Sequence, residues 1–248
     1  MIVSIIIPTY KRTKLLFTLL AQFTLSNKVD LFEIIIVNDN PNESFRNRMA
    51  EFNEFNLNII LLDNSENLGR HKSISKGLQH ASGDYTMLFD DDDKIIIENF
   101  DELLKMIMQL KTNFIITPTN ENCHVLHIHR SFINLYKYWK LIPKHSDSKE
   151  LVETSELKRC FADVLTKDRR VPTQLIWLQS TSTITFVPIV ICHKNYLHDG
   201  LSANIRTIKA NNRDAMQELF RFIAYDWRAP IRWRVVYLTR FIIGKLGL

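Results

Sequence analysis

Asp90, Asp91, Asp92 and Asp93 follow the apolar run 85–89 with no spacer between them. Two like charges about 4 Å apart repel by roughly 4 kcal/mol at an effective dielectric of about 20. Four adjacent carboxylates behind a buried segment therefore need compensation from solvent, hydrogen-bond donors or a cation. A solvated acidic turn has no need of such a run. Hard divalent cations take carboxylate oxygens, and Mg2+ or Mn2+ completes its shell with substrate phosphates. The central glycine and alternating ligands of an EF-hand are absent. The chemistry implied is a metal–nucleotide site whose cation offsets the charge on a departing diphosphate.

The elements that must position these acids follow from the hydropathy pattern. Residues 2–7, 31–39, 57–64 and 84–89 read as strands, and 11–26, 42–55 and 69–82 as helices. Strands alternating with helices predict an α/β fold with a mostly parallel sheet flanked by helices. In such sheets ligands bind beyond the carboxyl ends of the strands. "PTYKR" follows the first strand, "NDNP" the second and "DDDD" the fourth, so the polar residues collect at that edge. Beyond residue 113 the pattern loosens. Segments 114–119 and 124–132 read as strands, 141–150 as a loop, 155–167 and 172–180 as helices, and 183–196 as one or two strands. Segments 211–227 and 229–248 read as helices, with Pro230 near the start of the second.

The 248 residues suit one large domain, and 46% apolar with 24% charged residues is ordinary for a folded chain. Cys123, Cys160 and Cys192 form no C-x-x-C pair and fit thiols in a reducing compartment. "MIVSIIIPTYKR" has no basic leader, and no run of 18 apolar residues free of charge occurs. The expected location is therefore cytoplasmic, with the inner face of the membrane as the extension of that reading. From Trp227 onward there are five cations and no acid, which leaves the first 226 residues balanced at 27 of each sign. A basic tail on a balanced body argues against nucleic acid as a partner.

"VSIIIPTYKR", "FEIIIVNDNP", "ENLGRHKSISKGLQHASGDYTMLFDDDD" and "YLHDGLSAN" together resemble the family 2 glycosyltransferases of GT-A fold, well over 1–100 and more thinly over 172–212. The resemblance implies inverting transfer of a sugar from a nucleotide-diphosphate donor, with a UDP-sugar expected, onto a glycan or lipid-linked glycan. It divides the chain into a nucleotide-sugar-binding half (1–115), an acceptor-binding half of the same domain (116–226) and a basic amphipathic C-terminal helix (227–248). Pro8, Thr9 and Tyr10 are then expected along the nucleotide base with Arg12 close by, and Asp39 on the base or ribose. Asn67 and Gly69 match the family pattern. The usual Ala-Arg-Asn is Ser73-Ile74-Ser75 here, and Arg70-His71 matches a Lys-His variant, so Arg70 or Lys72 would meet the diphosphate. Asp90 falls on ribose or sugar hydroxyls, Asp91 in the variable place and Asp92 on Mn2+ or Mg2+, while Asp93 supports the loop.

The second half departs from the family. Its acceptor-side helix normally opens with an acid that serves as general base, whereas Pro172 here is followed by Thr173. A threonine hydroxyl cannot accept a proton near neutral pH. Asp168, Asp163 or Asp199 would have to take that role, or the match is shifted across the preceding loop, or the chain is weak or inactive as a catalyst and binds nucleotide sugar. His198 falls where relatives carry a histidine near the metal or diphosphate. A nucleotidyltransferase shares the fold type and the acidic loop, but "PTYKRTK" lacks the glycines of its phosphate loop. Cys123, His127 and His129 alternate on a strand without the second ligand pair that zinc requires. The tail reads either as a helix docked on the domain or as one lying in a membrane interface.

Overall fold

β1 (Val3–Thr9) and β2 (Phe32–Asn38) are largely β-branched, and both of their faces are covered. Ile5 and Ile7 join Ile34 and Ile36 on one side of the sheet, while Ile6 joins Ile35 and Val37 on the other. A strand buried on both faces shows no polar alternation, which explains the continuous apolar runs. The computed structural model describes residues 1–110, 112–119, 130–140, 147–164, 170–195 and 210–246.

Eight strands form one sheet in the order β3 (Ile59–Asp63), β2, β1, β4 (Tyr85–Leu88), β8 (Ser148–Glu153), β6 (Phe114–Pro118), β9 (Ile184–Phe186) and β7 (Arg130–Phe132). β8 and β7 run against the other six, so the sheet is mostly parallel. β5 (Lys94–Ile95) and β10 (Cys192–His193) pair separately and antiparallel. α1 (Thr13–Phe23) and α4 (Ile97–Ile107) bury Leu16, Leu20, Phe23, Phe100 and Leu104 against one face. α3 (Arg70–His80), α6 (Thr154–Ala162) and α7 (Thr173–Leu178) bury Ile74, Leu78, Leu157 and Trp177 against the other. The short helices α2 (Met49–Asn53) and α5 (Leu135–Trp139) complete the body. α8 (Arg213–Tyr225) joins the core through Leu219 and Ile223, and α9 (Ile231–Lys245) packs along α8.

Four segments differ from the hydropathy reading. Pro8 lies inside β1 rather than ending it. Ile6 O accepts from Phe89 N–H and Thr9 O from Asp39 N–H, so the donor that Pro8 lacks would point to the β4 side. β4 pairing stops there at Ile6↔Leu88, and no bond is lost. Segment 42–55 is not one helix: Phe45–Arg48 is a 3-10 turn before α2. Asp63 accepts from the N–H groups of Phe45 (3.0 Å) and Arg46 (3.4 Å) and from Ser44 Oγ (2.6 Å), which anchors that backbone to β3. α4 was not anticipated. Residues 148–150 belong to strand β8, not to a loop, because the charge of Lys149 is satisfied inside the protein.

Candidate active site

β1 and β4 are neighbours, yet the connections leaving them diverge. β2 and β3 lie beyond β1, while β8 and β6 lie beyond β4. A crevice opens at such a reversal of strand order, and here it receives Thr9–Arg12 from β1 and Asp90–Asp93 from β4. Lys11 holds φ at 57°, a left-handed conformation that costs a non-glycine residue roughly 1–2 kcal/mol.

The four aspartates coexist because each meets a different donor. Arg70, at the start of α3, donates to Asp90 Oδ1 from Nε (3.1 Å) and Nη2 (2.8 Å). Thr9 Oγ1 donates to Asp91 Oδ2 at 2.6 Å. Arg12 Nη1 reaches Asp92 Oδ2 at 2.9 Å and Asp91 Oδ1 at 3.4 Å. Lys149 Nζ pairs with Asp93 Oδ2, which also accepts the Asp90 N–H at 3.1 Å. Lys149 further donates to Leu88 O at 3.2 Å and lies 4.4 Å from the centre of the Phe89 ring. Among the described residues, Arg70, Arg12 and Lys149 thus pair directly with the four acids.

That balance sets the protonation of each group. Burial pushes Asp91 up to about 6, with the Thr9 hydrogen bond and Arg12 opposing and Asp92 and Asp90 adding repulsion. Asp92 is raised by burial and then by Asp90, against Arg12. Burial also disfavours the charge on Asp90, but Arg70, Lys149 and Lys194 outweigh it and hold the group below the carboxylate range. Lys149 follows the same logic in reverse: burial disfavours its charge, and Asp93 more than restores it.

Asp39 is buried at the end of β2, and its carboxylate is engaged by the chain itself. Oδ1 accepts from Asn64 Nδ2 and Leu68 N–H, both at 2.8 Å, and Oδ2 accepts from Gly69 N–H at 2.9 Å. Asp39 therefore sets the turn that carries Asn67 into α3. Gly69, with φ 83° and ψ 162°, occupies a region open only to glycine. Arg70 turns toward the acids, whereas His71 turns away. The His71 ring stacks on Phe161 of α6 at 4.9 Å and 10°, and burial, then Arg70 and Lys72, lower it to about 4.

Tyr10 is exposed, with Lys11 Nζ 5.1 Å over its ring. Thr173 opens α7 behind Pro172, and the first turn contains no acid. Asp163 pairs with Arg159 at 3.0 Å on the surface of α6. Asp168, Asp199 and His198, like residues 123–129, where a strand was expected, lie outside the described residues. Cys160 and Cys192 are buried thiols, each pushed up to about 12 by burial. Lys149 and its neighbour Glu150 were not foreseen. Glu150 is raised by burial, although Ser148 Oγ donates to it at 2.8 Å and Lys194 and Lys149 oppose the shift. Only the proximity of Lys149 and Glu150 to a polar stretch hinted at them.

The donor type suits a hard cation, since Mg2+ draws one or two carboxylates from a protein and the rest from water and phosphate. Among the described residues no three His, Cys, Asp or Glu side chains converge as a self-sufficient cage. Asp92 fits the sparser arrangement that a phosphate-bearing ligand completes.

A mostly parallel sheet with helices on both faces and an acidic loop at the strand-order reversal defines the GT-A class of fold. The neighbours in solved structures agree. An S. aureus TarS fragment solved in complex with UDP superposes with a TM-score of 0.68 at 15% identity, over 100% of this chain and 72% of that one. A mannosyltransferase from Pyrobaculum calidifontis, in complex with GDP-Man and Mn2+, gives 0.60 at 16% identity, over 96% and 68%. At the level of sequence, the Glycosyl transferase family 2 model matches residues 4–167, and the chain belongs to that family. A dolichyl-phosphate beta-glucosyltransferase of Trichomonas vaginalis is 28% identical over 142 residues, which is 53% of this chain and 43% of the relative. The abequosyltransferase RfbV of Salmonella typhimurium is 28% identical over 139 residues, 54% and 41% respectively. The chain thus spans about two-fifths of the length of these relatives.

Proposed function

We propose that the protein transfers a sugar, with inversion, from a nucleoside-diphosphate donor to a hydroxyl of a glycan or lipid-linked glycan. UDP-sugar is the donor we assign, and cell-surface polysaccharide synthesis the setting. One observation carries the reading: the partly neutralised 90–93 loop sits at the strand-order reversal beside Thr9–Arg12.

In this reading residues 1–115 hold the donor and 116–226 the acceptor. Pro8, Thr9 and Tyr10 border the base, and Asp39 fixes the turn through which Asn67 and Gly69 approach the nucleotide. Arg70 and Arg12 are poised to exchange a carboxylate for a phosphate oxygen, since a guanidinium recognises both with the same fork. Asp90 would meet ribose or sugar hydroxyls, and Asp92, with His198 from the second half, would hold Mn2+ or Mg2+, which when bound neutralises charge on the diphosphate leaving group. Asp168 or Asp199 removes the acceptor proton in place of the acid that Thr173 replaces. We place the protein in the cytoplasm, where a lipid-linked acceptor would bring it to the inner face of the membrane.

The absence of an acid from the first turn of α7 favours a second reading, nucleotide-sugar binding without turnover. Calorimetric titration with UDP, GDP and dTDP, each with and without Mn2+, tests the donor site. One nucleotide should bind, at least tenfold more tightly with metal, and Asp92→Ala should abolish the metal-dependent gain. An unchanged gain in Asp92→Ala, or no nucleotide binding under any condition, would refute the assignment. Sugar transfer by wild type that is lost in Asp168→Asn or Asp199→Asn excludes the non-catalytic reading.

A further inference from the structure

α9 settles into the body with one side and leaves the other uncovered. Trp233 packs edge-on against Tyr136 at 5.9 Å, and Tyr237 meets Phe220 of α8 at 5.8 Å. Gly244 faces the side chain of Gln217 on α8. Opposite this seam, Ile231, Ile242, Val235, Leu246, Ile243 and Val236 are all exposed, Ile231 at 71% and Leu246 at 68%. At 3.6 residues per turn these six fall within an arc of about 140°. Arg232 lies within the arc, Arg240 borders it over the Tyr237 ring at 5.2 Å, and Lys245 borders the other side over Phe241 at 5.8 Å. Trp227, 83% exposed, stands just before the helix.

We propose that this face is a docking surface for an anionic lipid bilayer, with α9 lying in the plane of the interface. Long cationic side chains bordering an apolar stripe keep their heads in water while their stems cover the stripe. An exposed tryptophan at the end of such a helix suits the headgroup layer, and helices of this make-up bind by burying the stripe among acidic lipids. No acidic residue occurs from Trp227 to the end of the sequence. A second copy docked on this face would set cations against cations, whereas an anionic headgroup layer complements them. Among the described residues no helix is long and apolar enough to cross a membrane, so contact is along the surface.

The test is sedimentation of the full chain with sucrose-loaded vesicles of phosphatidylcholine, alone or mixed with phosphatidylglycerol. It needs neither nucleotide nor acceptor, so its outcome is separate from that of the transfer reading. Wild type should sediment with the mixed vesicles and far less with the neutral ones. High salt or Arg232→Gln/Arg240→Gln should weaken binding roughly tenfold or more. Val235→Glu/Ile242→Glu, which alters exposed positions, should abolish binding with an unchanged circular dichroism spectrum. Wild type remaining in the supernatant, or equal sedimentation of Val235→Glu/Ile242→Glu, overturns the proposal. So does a solution dimer that Val235→Glu/Ile242→Glu dissolves, because a second copy would then cover the face.

Discussion

Lys149→Met removes the only cation paired with Asp93 among the described residues while keeping the length of the side chain. The two side chains are 4% and 3% exposed, so neither water nor salt replaces the lost partner. Breaking a buried pair from one side costs about 3–5 kcal/mol, because the remaining charge stays desolvated. The Leu88 carbonyl loses its Lys149 donor as well. For a chain of this size, each kcal/mol corresponds to about 2–4 °C in Tm, so a fall of roughly 10 °C is expected. Urea unfolding with an unchanged m-value measures the difference directly. Lys149→Met/Asp93→Asn should recover most of the loss, since the amide oxygen still accepts the Asp90 N–H and no bare charge remains. A cost below about 1 kcal/mol for Lys149→Met, or a double variant less stable than the single one, would refute the assignment of this pair as the support of the acidic loop.

Two further outcomes test the surroundings of that loop. Gly69→Ala forces a side chain into φ 83°, a strain of roughly 1–3 kcal/mol, and moves the N–H that Asp39 accepts; nucleotide affinity, followed by calorimetry, should fall at least tenfold. His71 is neutral in the fold down to about pH 4, whereas an unfolded histidine protonates near pH 6.5. Its contribution is therefore complete above about pH 6.5 and lost as pH falls toward 4, worth about 2–3 kcal/mol by linkage. Wild type should lose that much more stability than His71→Phe between pH 7 and 4 in parallel urea titrations, and parallel curves would show that His71 is not held neutral.

The parts of this molecule that were legible in its sequence are those governed by local pattern. β1, β2 and β4 announce themselves because both faces are apolar, and the carboxyl-edge rule then places "PTYKR" and the four aspartates together. The same reasoning failed at the start of β8, where "SKE" looks like a loop. A buried lysine is intelligible only once its partner, 56 residues away, is known. Segment 42–55 has helical spacing, but Asp63 on β3 captures its backbone donors, a long-range effect that no window detects. His71 shows how adjacent helix residues part company: Arg70 reaches Asp90, and one step along the helix, about 100°, carries His71 to the Phe161 side. Of the tail's two readings, the docked one is met by the seam against α8 and Tyr136, while the interfacial one rests on the stripe that this seam leaves exposed.

The antiparallel position of β8 has a consequence for recombining members of this family. Its residues lie late in the chain, yet they pair with β4 on one side and β6 on the other. A chimera joined near residue 115 would therefore place a foreign strand against the native acidic loop. The Lys149–Asp93 couple would be split between parents, and coupling between contacting residues makes such mixtures non-additive. Exchange of segments between relatives is better attempted after β8, leaving the strand and its lysine with the loop they complete.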